Sequence, residues 1–240
     1  MRPALIPPLL AVAWGLNWPA VKVMLSVLSP FSARGLGLGL GVILLVGLAL
    51  LRHTPLLPQR GAWPAVLIGG VLTVAVFNMC TAFAQLTTST SRAAVLTFTM
   101  PLMSAALAWA LGTVATKRWP PPGDRIVITA WQLGIGAACA TVAALATGEQ
   151  LPAVWPPRVL AALAWHVLIA TAVAYVMWYR LLASASATVA SLTTLAVPVV
   201  GVLGAMALVG DRPSGADWLG FVLVLGGAAL VVLPMRVSRT

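Results

Sequence analysis

Polar side chains recur along one apolar stretch of the sequence. Asn78, Thr81 and Gln85 are spaced three and four residues apart, which places them on one face of a helix. Amides and a hydroxyl in such a helix must hydrogen-bond to something other than lipid. They act either as interhelical hydrogen bonds, each worth about 1 kcal/mol, or as the lining of a solute path. For any single residue the structural role is favoured, but three on one face add weight to a solute path.

Aromatic and polar groups elsewhere extend this candidate site. Tryptophan and tyrosine suit the wall of a cavity because each combines an apolar face with a polar tip, and Trp109 and Trp131 fit this role as well. The predicted substrate-binding residues are Trp14, Asn17, Lys22, Asn78, Thr81, Gln85, Gln132, Tyr175 and Trp178.

Lys22 is the only formal charge well within an apolar stretch. About seven residues separate it from the nearer end, roughly 10 Å of helix, so its side chain could reach the membrane interface. Charges inside a membrane are costly and tend to be functional. Snorkelling or structural pairing and a place on the substrate path are therefore equally open.

The remaining ionisable groups offer little reaction chemistry. All four acids lie at loops or at the ends of apolar stretches, which leaves a buried carboxylate relay unsupported; they are Asp124, Glu149, Asp211 and Asp217. For His166 a structural role is favoured over proton coupling, and Cys80 and Cys139 have no partner spacing for a disulfide or a metal site. The sequence has no H-E-x-x-H, nucleophile elbow or Walker loop. We expect no enzyme activity, no catalytic residue, no metal and no cofactor.

These groups must be positioned within a membrane. Of the 240 residues, 61% are hydrophobic and only 8% are charged, against roughly 25% charged in soluble domains. The net charge of +10 reflects a shortage of acids, and the basic residues are scattered, so no nucleic-acid surface is indicated. Continuous apolar runs favour helices over barrel strands. The predicted fold class is an all-α polytopic membrane bundle of about eight transmembrane helices, near residues 4–28, 33–51, 63–86, 93–116, 126–147, 158–182, 187–209 and 216–234.

The distribution of basic residues predicts the orientation. Nine would lie on one side, namely Arg2, Arg52, Arg60, Lys117, Arg118, Arg125, Arg180, Arg236 and Arg239. Four would lie on the other side, namely Arg34, Arg92, Arg158 and Arg212. Because cytoplasmic loops carry the excess of lysine and arginine, both termini are predicted to be cytoplasmic.

An internal repeat is visible at an offset of 97 residues. It aligns residues 89–102 with residues 186–199 and matches a serine, a threonine and a proline in each copy. The second copy begins three predicted helices after the first, an odd number, so the two would enter the membrane from opposite sides, as in the inverted repeats of transporters. Pro101 and Pro198 remove a helical hydrogen bond and are predicted to be hinges.

Several motifs carry a family resemblance. The first apolar stretch reads Ala13-Trp14-Gly15-Leu16-Asn17-Trp18-Pro19, with Lys22, Pro30 and Arg34 following. Later come Ala174-Tyr175-Val176-Met177-Trp178-Tyr179-Arg180 and Gly210-Asp211-Arg212-Pro213-Ser214. In order and spacing these resemble the EamA-type permeases of the drug/metabolite transporter superfamily, with Asp211 where glutamate is usual.

The resemblance implies ten helices in two inverted halves, whereas this chain has about eight. Residues 99–103 resemble the start of the family's fourth helix and residues 108–114 its sixth, so we predict a fusion of the two. A fusion of this kind removes two crossings and keeps every later helix in its orientation. The halves are predicted at residues 1–116 (helices 1–4) and 117–240 (helices 5–8).

The resemblance predicts a permease of the bacterial cytoplasmic (inner) membrane. It would move a small metabolite, amino-acid-like, or a drug-like solute by alternating access, in the direction of export. The expected partners are the small-molecule substrate and the lipid bilayer, with a homodimer left open. The alternatives are a shortened, transport-inactive homologue acting as an interaction or dimer partner and, with less support, a polytopic membrane enzyme.

Overall fold

The computed structural model describes residues 5–95, 122–184 and 187–232, and every regular element in these ranges is helical. The predicted all-α membrane bundle is thereby confirmed. The α-helices are α1 (Ile6–Gly15), α2 (Asn17–Met24), α3 (Pro30–Leu51), α4 (Trp63–Ile68), α5 (Phe77–Thr87), α6 (Arg125–Ala146), α7 (Pro157–Ala164), α8 (Ala174–Ser184), α9 (Ala187–Val209) and α10 (Gly215–Val232). Residues 90–95 are also helical.

Within the described residues, four continuous helical segments are long and apolar enough to cross a membrane. They are Pro30–Leu51, Arg60–Phe83, Arg125–Ala146 and Pro157–Trp178. Helices α3 and α6 have 22 residues each, or about 33 Å at 1.5 Å per residue, and so match a hydrocarbon core about 30 Å thick. Large apolar side chains such as Ile43 and Leu145 are exposed, as a lipid-facing surface requires.

The first span differs from the single helix predicted over residues 4–28. Helix α1 ends at Gly15 and α2 begins at Asn17. Pro19 explains the break, because it has no N–H to donate to the carbonyl of Gly15 four residues earlier. Gly15 also packs closely against Val200 of α9, which contains Pro198 in its interior.

The offset of 97 residues is repeated in the backbone. Adding 97 to the residue numbers of α5 gives those of α8, and both helices have 11 residues. The same shift places the π-helix Gly69–Val76 within the π-helix Trp165–Val173. An offset of 95 carries α3 onto α6. The spans from α3 to residues 90–95 therefore recur as the spans from α6 to α9.

Packing at glycine follows the same repeat. The ring of His166 lies against Gly37, and the side-chain amide of Gln132 lies against Gly69. Each contact is so close that a methyl group on the glycine would overlap its neighbour. The two contacts are equivalent under the repeat. Adding 95 to position 37 gives position 132, and adding 97 to position 69 gives position 166, so each glycine in one contact corresponds to the side chain in the other.

A second pair of contacts is exchanged in the same way. Gly41 packs on Thr171, and Gly136 packs on Val74. Gly35, near the start of α3, meets Thr141 near the end of α6, so these repeat mates run antiparallel. Helices α3 and α6 are therefore related as in an inverted repeat, while residues 96–102 of the repeat predicted from the sequence lie outside the described residues.

Carboxylates at helix ends connect the repeat mates. Glu149, just after α6, accepts hydrogen bonds at the start of α3 from the Ser32 backbone N–H at 2.7 Å and the Ser32 hydroxyl at 2.9 Å. Asp211, just after α9, accepts from the Ser91 backbone N–H at 2.7 Å. Each acid satisfies donors that a helix N-terminus leaves unpaired.

Candidate solute-binding site

His166 and Asn17 join two distant parts of the chain. The imidazole Nδ1 of His166 lies 2.8 Å from the amide Oδ1 of Asn17. Because an amide oxygen can only accept, this geometry places a proton on Nδ1. His166 is buried at 3% exposure, and its Nε2 has no hydrogen-bond partner in the described structure. The ring is thus held by one nitrogen, and the other nitrogen lies against Gly37 without a hydrogen-bond partner among the described residues.

Arg34 is buried one turn before Gly37 on α3, at 3% exposure. Its Nη2 donates to the Thr81 hydroxyl at 3.1 Å, and that hydroxyl donates to the Asn78 carbonyl at 3.1 Å. The guanidinium Nε has no partner among the described residues. Arg34 of α3 therefore contacts the polar face that the sequence predicts on α5.

Lys22 binds the same face one turn further along α5. Its ammonium donates to the backbone carbonyl of Gln85. The Gln85 side chain is buried at 1% exposure, and its Oε1 has no partner in the part of the chain described. Lys22 is therefore paired structurally, and the Gln85 amide stays free to accept a hydrogen bond.

An aromatic group lies beside this region. The indole of Trp14 donates to the Ala170 carbonyl at 3.1 Å, and its ring lies 6.1 Å from Tyr175 and 5.4 Å from Trp178. Ala170 belongs to the second π-helix, while the Asn78 amide donates to Val74 in the first π-helix at 2.8 Å. Each π-helix thus has a carbonyl bonded by a side chain, and π-helical segments often occur at functional sites.

These contacts define a polar cluster, consisting of Asn17, Arg34, Thr81 and His166. Its members come from four different spans, namely α2, α3, α5 and the second π-helix. Arg34 also interacts electrostatically with His166 and Tyr175. A buried cation beside two unpaired nitrogens, Arg34 Nε and His166 Nε2, is suited to holding a polar solute.

Comparison with known proteins identifies the family of the chain. The family model for the EamA-like transporter family matches residues 8–111 and again residues 102–233. The chain belongs to the EamA-like transporter family. It is an integral membrane protein with a transporter architecture, and the predicted resemblance is confirmed.

Two relatives of this EamA-like chain are themselves described as uncharacterized transporters. One, from Archaeoglobus fulgidus, is 25% identical over 122 residues, an alignment covering 51% of this chain and 42% of the relative. The other, YvbV from Bacillus subtilis, is 20% identical over 279 residues, an alignment covering 96% of this chain and 91% of the relative. No solved structure matches the chain.

Within this EamA-like chain, the predicted site residues fall into separate groups. Asn17, Thr81 and Gln85 are at or beside the polar cluster. Asn78 and Gln132 are bonded to backbone carbonyls instead, Asn78 within its own span and Gln132 to Ala65 of α4 at 3.2 Å. The solute-binding role of all nine predicted residues remains a prediction, and Pro101 lies outside the described residues.

Sequence reasoning missed Arg34 and underrated His166. The sequence predicts Arg34 on the outer side at the very start of a helix over residues 33–51, but α3 begins at Pro30, so Arg34 is already in the second turn and is buried. Gly37, three residues later, was the available signal, because a glycine there leaves room for a neighbouring side chain. Trp131 was wrongly expected in a cavity wall: it is partly exposed, stacks on Trp63 and donates to the Leu56 carbonyl.

Proposed function

We propose that this EamA-like transporter moves a small metabolite, amino-acid-like, or a drug-like solute across the bacterial cytoplasmic membrane by alternating access, in the direction of export. Membership of the family supports the transporter assignment. Solute, direction and mechanism are the proposed parts.

The observation that carries the proposal is the polar cluster between the inverted repeats. It unites an arginine, a histidine, an amide and a hydroxyl from four spans. Ionisable groups at membrane depth are rare and mark substrate pathways. Two of its nitrogens, Arg34 Nε and His166 Nε2, are buried without a partner in the described part of the chain, and a solute could supply one.

Alternating access is supported by the exchange of contacts between the repeats. The Gly37 and His166 contact and the Gly69 and Gln132 contact lie at the eighth residue of α3 and of α6, respectively. Because α3 and α6 run antiparallel, the two contacts lie at equal depths from opposite ends. We infer that one opens while the other closes, with the α1–α2 break and Pro198 as the flexible points.

The direct test is flux in proteoliposomes. Purified protein would be reconstituted and assayed with labelled amino acids and lipophilic drugs, with and without a pH gradient. The expected result is saturable flux of at least one solute above that of protein-free liposomes. Absence of flux across the whole panel would contradict the proposal.

A transport-inactive homologue is the second candidate, and one observation favours it. The two family matches overlap at residues 102–111, within the region where we predict the fourth and sixth family helices to be fused. Half of a two-fold scaffold would then lack a helix. No flux, together with a stable dimer in nanodiscs, would support this candidate.

A further inference from the structure

Arg34 has no counter-ion within the described chain. The protein contains only four acids, and all four are described. Asp124 caps its own helix α6, Glu149 caps α3, Asp211 caps residues 90–95, and Asp217 pairs with Arg92. None of these four side-chain carboxylates pairs with Arg34 in the described structure.

A buried, unneutralised guanidinium is costly inside a membrane. Arg34 has five N–H donors, of which the structure pairs Nη2 with the neutral Thr81 hydroxyl and leaves Nε unpaired. A guanidinium can donate two parallel hydrogen bonds to a carboxylate. The missing partner therefore has the chemistry of a planar anion.

The inverted repeat distinguishes contacts that occur in both halves from polar side chains that occur in only one. The glycine contacts are shared by both halves, but the offsets carry Arg34 onto Thr129 and His166 onto Gly69. Thr129 is buried and donates only to the Arg125 carbonyl of its own helix. The cation thus has no counterpart in the second half and the imidazole has none in the first, as expected of groups that serve a solute and are not needed to build the scaffold.

We propose that Arg34 binds the carboxylate of the transported solute, with Thr81 orienting the guanidinium and Asn17 orienting His166 beside it. This rests on the proposed function, because it names the solute class of the same site. Within the polar cluster the formal positive charge is that of Arg34, while the Lys22 ammonium lies outside the cluster and donates to the Gln85 carbonyl. A carboxylate matches that charge, whereas a phosphate dianion exceeds it.

Binding can be tested without transport. Thermal unfolding of the purified protein would be followed with the probe pairs benzoate and benzamide, and phenylalanine and phenylalaninamide, and with inorganic phosphate. Each acid should stabilise the protein at least about tenfold more effectively, by concentration, than its amide. Equal effects of acid and amide, no stabilisation by either acid, or tighter binding of phosphate would each overturn the proposal.

Variants assign the effect to one side chain. Arg34→Gln should abolish the preference for the acid, Arg34→Lys should retain part of it, and Arg158→Gln should leave it intact. Arg158 is a suitable control because it is exposed and donates only to the Leu208 carbonyl in the described structure. An Arg34→Gln protein that still prefers the acid would overturn the proposal, and the wild-type comparison decides the question if the variant does not fold.

Flux separates the two proposals. Transport of neutral solutes that is unaffected by Arg34→Gln would leave the transporter proposal standing and remove the carboxylate. Arg34-dependent binding of acids without any flux would support the site and contradict transport.

Discussion

The side-chain amide of Gln132 packs against Gly69 so closely that a methyl group at position 69 would overlap it. In the inverted repeat, the equivalent contact is the one between Gly37 and His166. Both contacts lie where helices of opposite halves meet. Gly69 is the first residue of one π-helix, and His166 is the second residue of the other. The glycines are therefore positions where a single methyl group tests the account.

Gly37→Ala is expected to lower solute flux at least about tenfold. The added carbon would lie 2.5 Å from His166 Cδ2 and 2.6 Å from Nε2, so the ring would have to leave its bond to Asn17. Gly39→Ala is the matched control, because nothing lies within 4 Å of its added carbon. Equal flux in the two variants would show that the His166 position is not needed.

Asn17→Leu should cost about 1–3 kcal/mol of stability and lower flux, because it leaves the buried Nδ1–H of His166 unpaired. Asn78→Leu should have a smaller effect on flux, since the Asn78 amide bonds only to the Val74 carbonyl of its own span among the described residues. Thermal unfolding and flux measured on the same preparations would check both. Flux unchanged in Asn17→Leu would remove Asn17 from the site.

The polar face of α5 could be predicted from the sequence, but the burial of Arg34 could not. Thr81 and Gln85 are buried, as their spacing with Asn78 indicates, because helical periodicity is a local property. The burial of Arg34 was not predictable from the sequence, because it depends on Thr81, 47 residues away, and on His166 in another span. The break at Leu16 was missed although Pro19 was in view, since prolines are also tolerated within membrane helices.

Glu149→Ala is expected to destabilise the protein by about 1 kcal/mol, because it leaves the Ser32 backbone N–H at the start of α3 without its acceptor. Gln150→Ala is the neighbouring control, since Gln150 is exposed and makes only a weak bond to the Gly148 carbonyl in the described structure. The comparison requires only the two unfolding midpoints. Equal unfolding midpoints for Glu149→Ala and Gln150→Ala would show that the capping bond contributes nothing to stability.

Gly148→Ala should also destabilise, by about 1 kcal/mol, although the space around Gly148 is open. Its φ of +69° is the left-handed conformation that ends α6 and directs Glu149 towards α3. Gly47→Ala, in a helix with open space around it, should be neutral or stabilising. The opposite order of unfolding midpoints would contradict this account of the turn.

The predicted orientation can be checked with a matched pair of glutamine-to-cysteine variants. In a background without Cys80 and Cys139, Gln150→Cys should react with a membrane-impermeant maleimide in intact cells. Gln59→Cys should react only after permeabilisation, because it lies on the side with more basic residues. The reverse labelling pattern would place both termini outside.

The most direct test is the initial rate of solute release from proteoliposomes containing the wild-type protein or Arg34→Gln, each shown to be folded by its unfolding midpoint. The account predicts saturable release of a carboxylate solute by the wild type and at least about tenfold slower release by Arg34→Gln. Release by the wild type that does not exceed that of protein-free liposomes, or equal rates for the two proteins, would contradict the claim that this cluster carries a solute across the membrane.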